Sequence, residues 1–136
     1  MSDSPTVIRR YIDEVWIGRD VQAADDLVAE DFVRHGPAWE GGDTRGREAF
    51  KEALTGFFAI FPDLHQEILR HKMRIRTSGT HTGASFMGVE PTGTEVAFPC
   101  LWMIRASNGK VTEEWVSYDS LYVMTQLGVV SLPAAA

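Results

Sequence analysis

Acid–base chemistry is predicted most directly near the end of a long apolar hairpin that spans residues 95–119. Asn108-Gly109 lies between two β-prone segments, and Asp119 ends the second of them. This dipeptide is the strongest short signal for a type I′ turn, because both of its positions need positive φ. Counting outward from the turn places Asp119 opposite Phe98 and Trp102 opposite Trp115. The register therefore predicts one carboxylate on a face that also carries Phe98, Cys100, Trp102, Trp115 and Ser117.

The opposite face of this hairpin is predicted to be apolar too. A hairpin that is apolar on both faces needs cover on both. We therefore expect helices and a ligand cavity over the Trp102 and Trp115 face, and a homodimer partner or further packing over the other. A two-sided core without a cavity explains every residue except Asp119, because an unpaired acid in a dry core is costly. The second face carries Leu101, Met103, Val116 and Tyr118.

Asp119 is the main candidate for a catalytic group. A carboxyl group among aromatic rings can act as a general base, because loss of solvent favours its taking up a proton. The alternative is structural, since Asp119 directly precedes SLYVMTQL and aspartate is a good N-cap for a helix. Glu113, nearer the turn on the predicted face, is expected to reach solvent.

His35 and His81 are further catalytic candidates, because imidazole can polarise a carbonyl or relay a proton near neutral pH. His35 lies in a loop bounded by Gly and Pro, where a structural or solvent-facing role is the alternative. His81 lies in GTHTG, where the ring can instead satisfy a backbone group. The predicted substrate-binding residues are aromatic or apolar, and their alternative is a simple core position: Phe98, Cys100, Trp102 and Trp115.

Composition limits the classes of function. The chain has 136 residues, a net charge of -6 at pH 7 and one cysteine. We expect a single domain over residues 1–136, with a frayed tail at 129–136, in the cytoplasm and without a membrane span. The negative charge argues against nucleic acid as a partner. No histidine pair has the spacing of a metal site, and no Gly-rich turn leads from a strand into a helix to hold a phosphate, so no metal or cofactor is predicted.

Helical patterns come first along the chain and β-prone segments follow, which indicates an α+β fold. Pro62 ends the longest helical pattern, and Gly128 ends the last. Three helices are predicted before the strands, at 4–18, 21–30 and 47–61, and a short one after them at 120–127. The predicted strands cover 65–70, 72–81, 95–105 and 110–119, with a weaker candidate at 84–88.

The sequence resembles the SnoaL-like polyketide cyclases, a family of the nuclear transport factor 2-like superfamily. Each motif is weak by itself, but their order along nearly the whole chain is specific for the family. One segment departs from it, because HQEILRHKMRIRTS lacks the Gly-Asp turn that the family carries in this hairpin. The motifs are FVRHGP at 32–37, FPDL at 61–64, GTHTG at 79–83, GVEPTG at 88–93, NGKVTEEWVSYD at 108–119 and QLG at 126–128.

The resemblance implies a cone-shaped barrel of curved antiparallel sheet, with N-terminal helices packed on its concave face. It also implies a cofactor-free intramolecular aldol cyclisation of a polyketide ester, with Asp119 as the general acid–base by its place in W-x-x-x-D. Isomerases, dehydratases and epoxide hydrolases share this fold, so fold alone does not fix function. An epoxide hydrolase would need an Asp-Arg-Asp type of network, and Asp119 has no predicted arginine neighbour. The alternative from another class is a non-catalytic module that binds a small apolar ligand or dimerises.

Overall fold

A layer of helices covers one face of a six-stranded sheet in the computed structural model, which describes residues 4–70 and 74–133. Asp20 caps the short 3-10 helix by accepting hydrogen bonds from the backbone N–H groups of Gln22 and Ala23, at 3.0 and 3.2 Å. None of the described helices is long and apolar enough to cross a membrane. The helices are α1 (Ser4–Arg10), its π-helical continuation Tyr11–Ile17, a 3-10 helix (Val21–Ala23), α2 (Ala24–Leu27), α3 (Arg47–Ile60) and α4 (Ser120–Gln126).

The sheet is mixed and open rather than a closed antiparallel barrel. Its strand order is β2-β1-β6-β5-β4-β3, so β2 and β3 form the edges of the described sheet. The pair β1 and β6 is parallel, and the other neighbouring strands are antiparallel. The α+β prediction is confirmed, with these two corrections to the predicted barrel. The strands are β1 (Val28–His35), β2 (Asp43–Arg45), β3 (His65–Arg70), β4 (Arg74–Thr80), β5 (Glu95–Ser107) and β6 (Lys110–Ser117).

Strand β1 was not predicted from the sequence. The second helix was expected to continue through Glu30, but α2 ends at Leu27 and β1 begins at Val28. Residues 28–30 have helix-forming neighbours, but they belong to a strand that pairs with β6. Tertiary contacts therefore override the local preference for a helix here. The segment 84–88, the weaker strand candidate, does not form a strand. Its residue Phe86 makes an isolated bridge to Val89. The first two residues of the strand predicted at 72–81, and residues 134–136 of the predicted frayed tail, lie outside the described residues.

The turn of the main hairpin is as predicted, but its register is not. Asn108 and Gly109 have φ of 52° and 75°, and Ser107 pairs with Lys110. The register then shifts, because Val111 pairs with Ala106 and Glu113 with Arg105. Thr112 is the extra residue, and its hydroxyl donates a hydrogen bond to the Arg105 carbonyl at 3.3 Å. The result is a β-bulge.

This bulge sends the later side chains of β6 to the face opposite the predicted one. Trp102 lies opposite Val116, and Trp115 lies opposite Met103. The predicted pairing of Trp102 with Trp115 is therefore wrong, because a shift of one residue exchanges the two faces of a strand. Val116 and Tyr118 face inward and line a cavity. The outer face keeps Leu101 and Met103, which are 62% and 61% exposed.

A homodimer through this outer face stays a prediction, now without Val116 and Tyr118. Met103→Glu should weaken association at micromolar concentration, because a carboxylate in an apolar interface loses its hydration. Sedimentation velocity measures the change. Met87→Glu is a matched control, since Met87 is also exposed, at 53%, but lies in the loop after β4. A wild-type chain that is monomeric at high micromolar concentration would contradict the prediction.

Candidate functional site

A cavity lies between the inner face of the sheet and the helical layer. Its volume is about 70 Å³, counted as the space that the centre of a water molecule can occupy. One buried water needs about 10–15 Å³ by this measure, so the cavity has room for several waters or for part of an organic ligand. Most of its wall is apolar, and the aromatic residues of the wall are Trp16, Phe57, Phe61, Phe86, Phe98, Trp102 and Tyr118.

The charged side chains among the described residues of the wall are Arg34 and Glu40. Arg34 Nη1 donates a hydrogen bond to Glu40 Oε2 at 2.7 Å, and both side chains are 6% exposed. The Tyr118 hydroxyl donates to the other oxygen, Glu40 Oε1. The Arg34 guanidinium also lies 5.7 Å from the centre of the Phe57 ring. The cavity therefore contains one carboxylate, held by a cation and a phenol.

Burial raises the pKa of the Tyr118 hydroxyl, and the neighbouring Glu40 carboxylate raises it further. Tyr118 therefore remains a protonated phenol at neutral pH and acts as a hydrogen-bond donor. A buried phenol that is kept protonated can stabilise an oxyanion that forms nearby.

Behind Arg34, Glu114 is fully buried and receives several donors. The Tyr11 hydroxyl and the Trp102 indole N–H each donate to Glu114 Oε2 at 2.8 Å. Arg34 Nε lies 3.2 Å from Glu114 Oε1, an ion-pair distance at which the angle does not make a hydrogen bond. Desolvation raises the pKa of Glu114, and Arg34 opposes that rise. Glu114 does not line the cavity, so it positions Arg34 rather than meeting a ligand.

The loop between β1 and β2 delivers Glu40 to the cavity. This loop contains a short 3-10 helix, Ala38–Glu40. The backbone N–H groups of Glu40 and Gly42 both donate hydrogen bonds to the Pro37 carbonyl and so stabilise the loop. Gly36 leaves the space that the ion pair fills. A Cβ atom there would lie 2.4 Å from Arg34 Nη1 and 3.1 Å from Glu40 Oε2. A side chain at position 36 would therefore displace the pair.

The predicted substrate-binding residues are divided by the bulge. Phe98, Cys100 and Trp102 line the cavity, whereas Trp115 lies on the outer face and stacks on His35 with ring centres 5.3 Å apart. Trp115 was assigned to the cavity because the hairpin was counted without its extra residue. Burial raises the pKa of the Cys100 thiol to about 11, so this cysteine is a neutral wall residue at neutral pH.

Asp119 lies outside the cavity, contrary to its predicted placement. It is exposed and caps α4, accepting a hydrogen bond from the Tyr122 backbone N–H at 3.0 Å. The bulge again gives the reason, because it turns Tyr118 inward and Asp119 outward. The structural alternative considered for Asp119 accounts for its contacts. Its role as the catalytic acid stays a prediction, without a contact to the cavity that supports it.

Two substitutions of Asp119 separate these roles. Asp119→Ala should lower the free energy of unfolding by about 1 kcal/mol, whereas Asp119→Asn should change it little, because asparagine caps helices about as well as aspartate. Chemical denaturation measures both values. If Asp119→Asn lowered turnover by roughly two to four orders of magnitude without changing stability, Asp119 would be the acid–base.

His81 is fully buried beside the cavity wall rather than in it. Its Nε2 lies 2.9 Å from the Ala84 carbonyl, and its ring packs on Phe61 with centres 5.9 Å apart. Its backbone N–H donates to the Thr94 carbonyl at 3.0 Å. These contacts tie together the loop between β4 and β5. They fit the structural alternative for His81, whose ring meets the cavity wall through Phe61.

His35 lies on the outer face, where it joins β1, β2 and β6. Its Nε2 is 2.7 Å from Glu113 Oε2, and its Nδ1 is 3.1 Å from Asp43 Oδ1. Arg105 and Arg45 approach these carboxylates from the other side, at 2.6 and 3.2 Å. The hydrogen bond to Glu113 raises the pKa of His35, and the hydrogen bond to Asp43 raises it further. Partial desolvation of the ring lowers the pKa but does not cancel this rise. Neither predicted histidine therefore lines the cavity.

Protonated His35 should stabilise the fold only at lower pH. Its pKa in the folded state exceeds the unfolded value of about 6.5, so its contribution is complete below pH 6.5 and is lost as pH rises through the folded pKa. Wild type should therefore be more stable than His35→Gln at low pH. This difference in the free energy of unfolding should shrink by roughly 0.5–1 kcal/mol as the pH rises from below 6.5 to above the folded pKa. Urea denaturation at pH 6 and pH 8.5 measures it. A difference of equal size at both pH values would contradict this role of His35.

Arg34, Glu40 and Tyr118 were missed by the sequence reasoning. Arg34 precedes His35 in the FVRHGP motif, and Phe32 and Arg34 share one face of β1. Reading DFVRH as a strand with Phe32 inward would have placed Arg34 inward and His35 outward. Glu40 carries no local signal, because it reaches the cavity only when its loop folds back over the end of β1.

Comparison with known proteins agrees with this fold. The chain matches the model of the SnoaL-like polyketide cyclase family over residues 6–127. No curated protein matched the chain. Among solved structures, IdmH from Streptomyces antibioticus, provisionally named a polyketide cyclase, is 27% identical, with a TM-score of 0.70 over 91% of this chain and 97% of that one.

Two further structures support the fold alone, because their sequence identity is lower. A protein from Jannaschia sp. CCS1, provisionally named a SnoaL-like polyketide cyclase, is 22% identical with a TM-score of 0.78 over 96% of this chain and 99% of its own. AclR from Streptomyces galilaeus, provisionally named a hydroxylase, is 23% identical with a TM-score of 0.74 over 95% and 83%.

Proposed function

This chain belongs to the SnoaL-like polyketide cyclase family, and from that premise we propose that it catalyses an intramolecular aldol cyclisation of a polyketide-type ester, with Glu40 as the general base. The observation that carries the proposal is a single carboxylate in a cavity whose wall is mostly apolar, hydrogen-bonded to Arg34 and Tyr118. Acid–base catalysis of this kind needs no cofactor, and the proposed reaction includes none.

In the proposed reaction, Glu40 takes a proton from a carbon flanked by carbonyl groups. The resulting enolate carbon attacks a second carbonyl of the same molecule, forming a carbon–carbon bond and an alkoxide. Protonated Glu40 then returns the proton to that alkoxide, so the product is an isomer of the substrate. The two contacts of Glu40 leave other lone pairs of its carboxylate available for the proton.

Arg34 and Tyr118 stabilise the negative charge that develops on the substrate oxygen in the proposed reaction. A guanidinium and a protonated phenol both donate hydrogen bonds, and such donors stabilise an oxyanion most effectively where water is excluded. Their side chains are also fixed before a ligand enters, by Glu114 for Arg34 and by Glu40 for Tyr118. The apolar wall would hold the chain of the substrate so that its reacting carbons meet.

A second candidate function is hydrolysis of an epoxide, favoured by the carboxylate–arginine–carboxylate arrangement of Glu40, Arg34 and Glu114. Such a network was expected of an epoxide hydrolase, and it lies at Arg34 instead of near Asp119. Two carboxylates around a water would both need access to the cavity. Because Glu114 is fully buried and does not line the wall, the arrangement fits the cyclisation better.

One experiment separates these functions. The purified chain is incubated in D₂O with an aryl β-diketone methyl ester, and products are resolved by chromatography with mass spectrometry. Cyclisation predicts a ring-closed isomer that forms faster than in buffer. Binding without isomer formation or deuterium exchange would indicate the ligand-binding module. Conversion of a styrene oxide to a diol, with no activity on the ester, would indicate the hydrolase.

A further inference from the structure

Gln66 on β3 is a buried polar residue that the proposed chemistry does not use. It is 8% exposed and lines the cavity, between the exposed neighbours His65 and Glu67. Its side-chain oxygen has no hydrogen-bond partner among the described residues. A buried carbonyl oxygen without a partner costs free energy, so its presence in an apolar wall needs an explanation.

Thr77 on β4 extends the same polar patch. It is the cross-strand partner of Gln66, is 5% exposed and also lines the cavity. The hydrogen-bond partner of its hydroxyl among the described residues is the Cys100 sulfur, at 3.5 Å. Because sulfur is a weak hydrogen-bonding group, Thr77 retains capacity for a stronger partner. Two neutral polar side chains thus lie next to each other on strands at the opposite end of the sheet from β1 and Arg34.

We propose that Gln66 and Thr77 bind a neutral oxygen, a carbonyl or a hydroxyl, at the end of the substrate remote from the reacting carbons. The amide offers both donors and an acceptor, and the hydroxyl offers one of each kind, so the pair suits an uncharged oxygen. A carboxylate would lose its hydration there, and the cation among the described wall residues, Arg34, lies at the other end of the sheet. This inference rests on the proposed function for the assignment of the reacting end to Glu40.

The substrate class follows from the two ends of the cavity. One end presents the ion pair of Arg34 and Glu40, the other presents Gln66 and Thr77, and aromatic side chains form the wall. The ligand that matches is mostly apolar and ring-containing, with an oxygen at each end. A site that is built to hydrogen-bond an oxygen discriminates against an analogue that lacks it, because its polar groups are then left unpaired.

Isothermal titration calorimetry with two probes tests the inference without any turnover. The probes are 2-naphthol and 2,6-dihydroxynaphthalene, which differ by one hydroxyl at the far end of the same ring system. Wild type should bind the diol roughly threefold to tenfold more tightly, the contribution of one neutral hydrogen bond. Gln66→Leu should bring this ratio close to one while the affinity for 2-naphthol changes less than about twofold. Thr77→Val should lower the ratio by a smaller factor.

Gln22→Leu is the matched control, because Gln22 is exposed on the 3-10 helix and its side chain does not line the cavity. That variant should keep the wild-type ratio. Equal binding of both probes by wild type, no binding of either, or an unchanged ratio in Gln66→Leu would overturn the inference. If the ratio collapses as expected but the ester is not cyclised, the polar patch stands and the proposed reaction fails. If the ester is cyclised but the ratio is unchanged in Gln66→Leu, the reaction stands and the polar patch fails.

Discussion

Replacing Glu40 by glutamine is expected to lower turnover of an accepted ester by roughly two to four orders of magnitude. Glutamine has nearly the same size, and its amide oxygen can still accept a hydrogen bond from Arg34 or Tyr118. It cannot take up the proton from carbon. The loss should therefore appear in kcat under saturating substrate, with the affinity for 2-naphthol changed far less.

Two comparisons make this result specific for Glu40. Tyr118→Phe removes one donor to the same carboxylate and should reduce kcat by a smaller factor than Glu40→Gln. Asp119→Asn should leave kcat near the wild-type value, because Asp119 caps α4 from outside the cavity. Normal turnover by Glu40→Gln, together with a large loss in Asp119→Asn, would transfer the acid–base role to Asp119.

Replacing Arg34 by methionine should lower the free energy of unfolding by about 3–5 kcal/mol. Arg34 faces two buried carboxylates, Glu40 and Glu114, whose side chains are 6% and 0% exposed. Removing the cation leaves these groups without a counter-charge in an apolar surrounding, which is far more costly than losing a surface ion pair. Guanidinium chloride denaturation measures the change.

Arg9→Met is the matched control, because the Arg9 side chain is 83% exposed and its ion pair is with Asp13, one helical turn away and itself 51% exposed. That variant should alter stability little. Adding Glu114→Gln to Arg34→Met should recover part of the lost stability, since one of the two uncompensated carboxylates is then neutral. A fully stable Arg34→Met variant would show that the buried carboxylates do not depend on this cation.

Local signals were sufficient for several elements of the fold. The spacing of Phe50, Leu54 and Phe57, with Pro62 after them, predicted α3 nearly to its last residue. Asn108-Gly109 predicted the turn, and the preference of aspartate for helix N-caps gave the structural alternative for Asp119. Each of these features is fixed by residues close together in sequence, through side-chain periodicity, positive φ or a hydrogen bond to a nearby N–H group.

The bulge at Thr112 limited what could be predicted of the site. A regular hairpin and a bulged one share the same turn, so Asn108-Gly109 does not distinguish them. The extra residue is favoured because it keeps both Val111 and Glu114 on the inner face, three positions apart, where a regular strand would separate them. Glu114 is retained inside by Tyr11, Trp102 and Arg34, which are distant in sequence. The bulge therefore leaves Phe98, Cys100 and Trp102 of β5 on the cavity side and turns Trp115 of β6 away from it.

Arg34 and His35 are successive residues of one strand, and they make ion pairs on opposite faces of the sheet. Arg34 pairs with Glu114 on the inner face, and His35 pairs with Glu113 on the outer face. Both contacts therefore join the same two strands, β1 and β6. A small slide of β1 along β6 would change the two contacts together. If it does, thermodynamic reciprocity applies: a ligand that tightens the inner pair shifts the proton affinity of His35, and protonation of His35 shifts ligand affinity by the same factor. The sheet would then couple the acidity of the solvent on its outer face to occupancy of the cavity on its inner face.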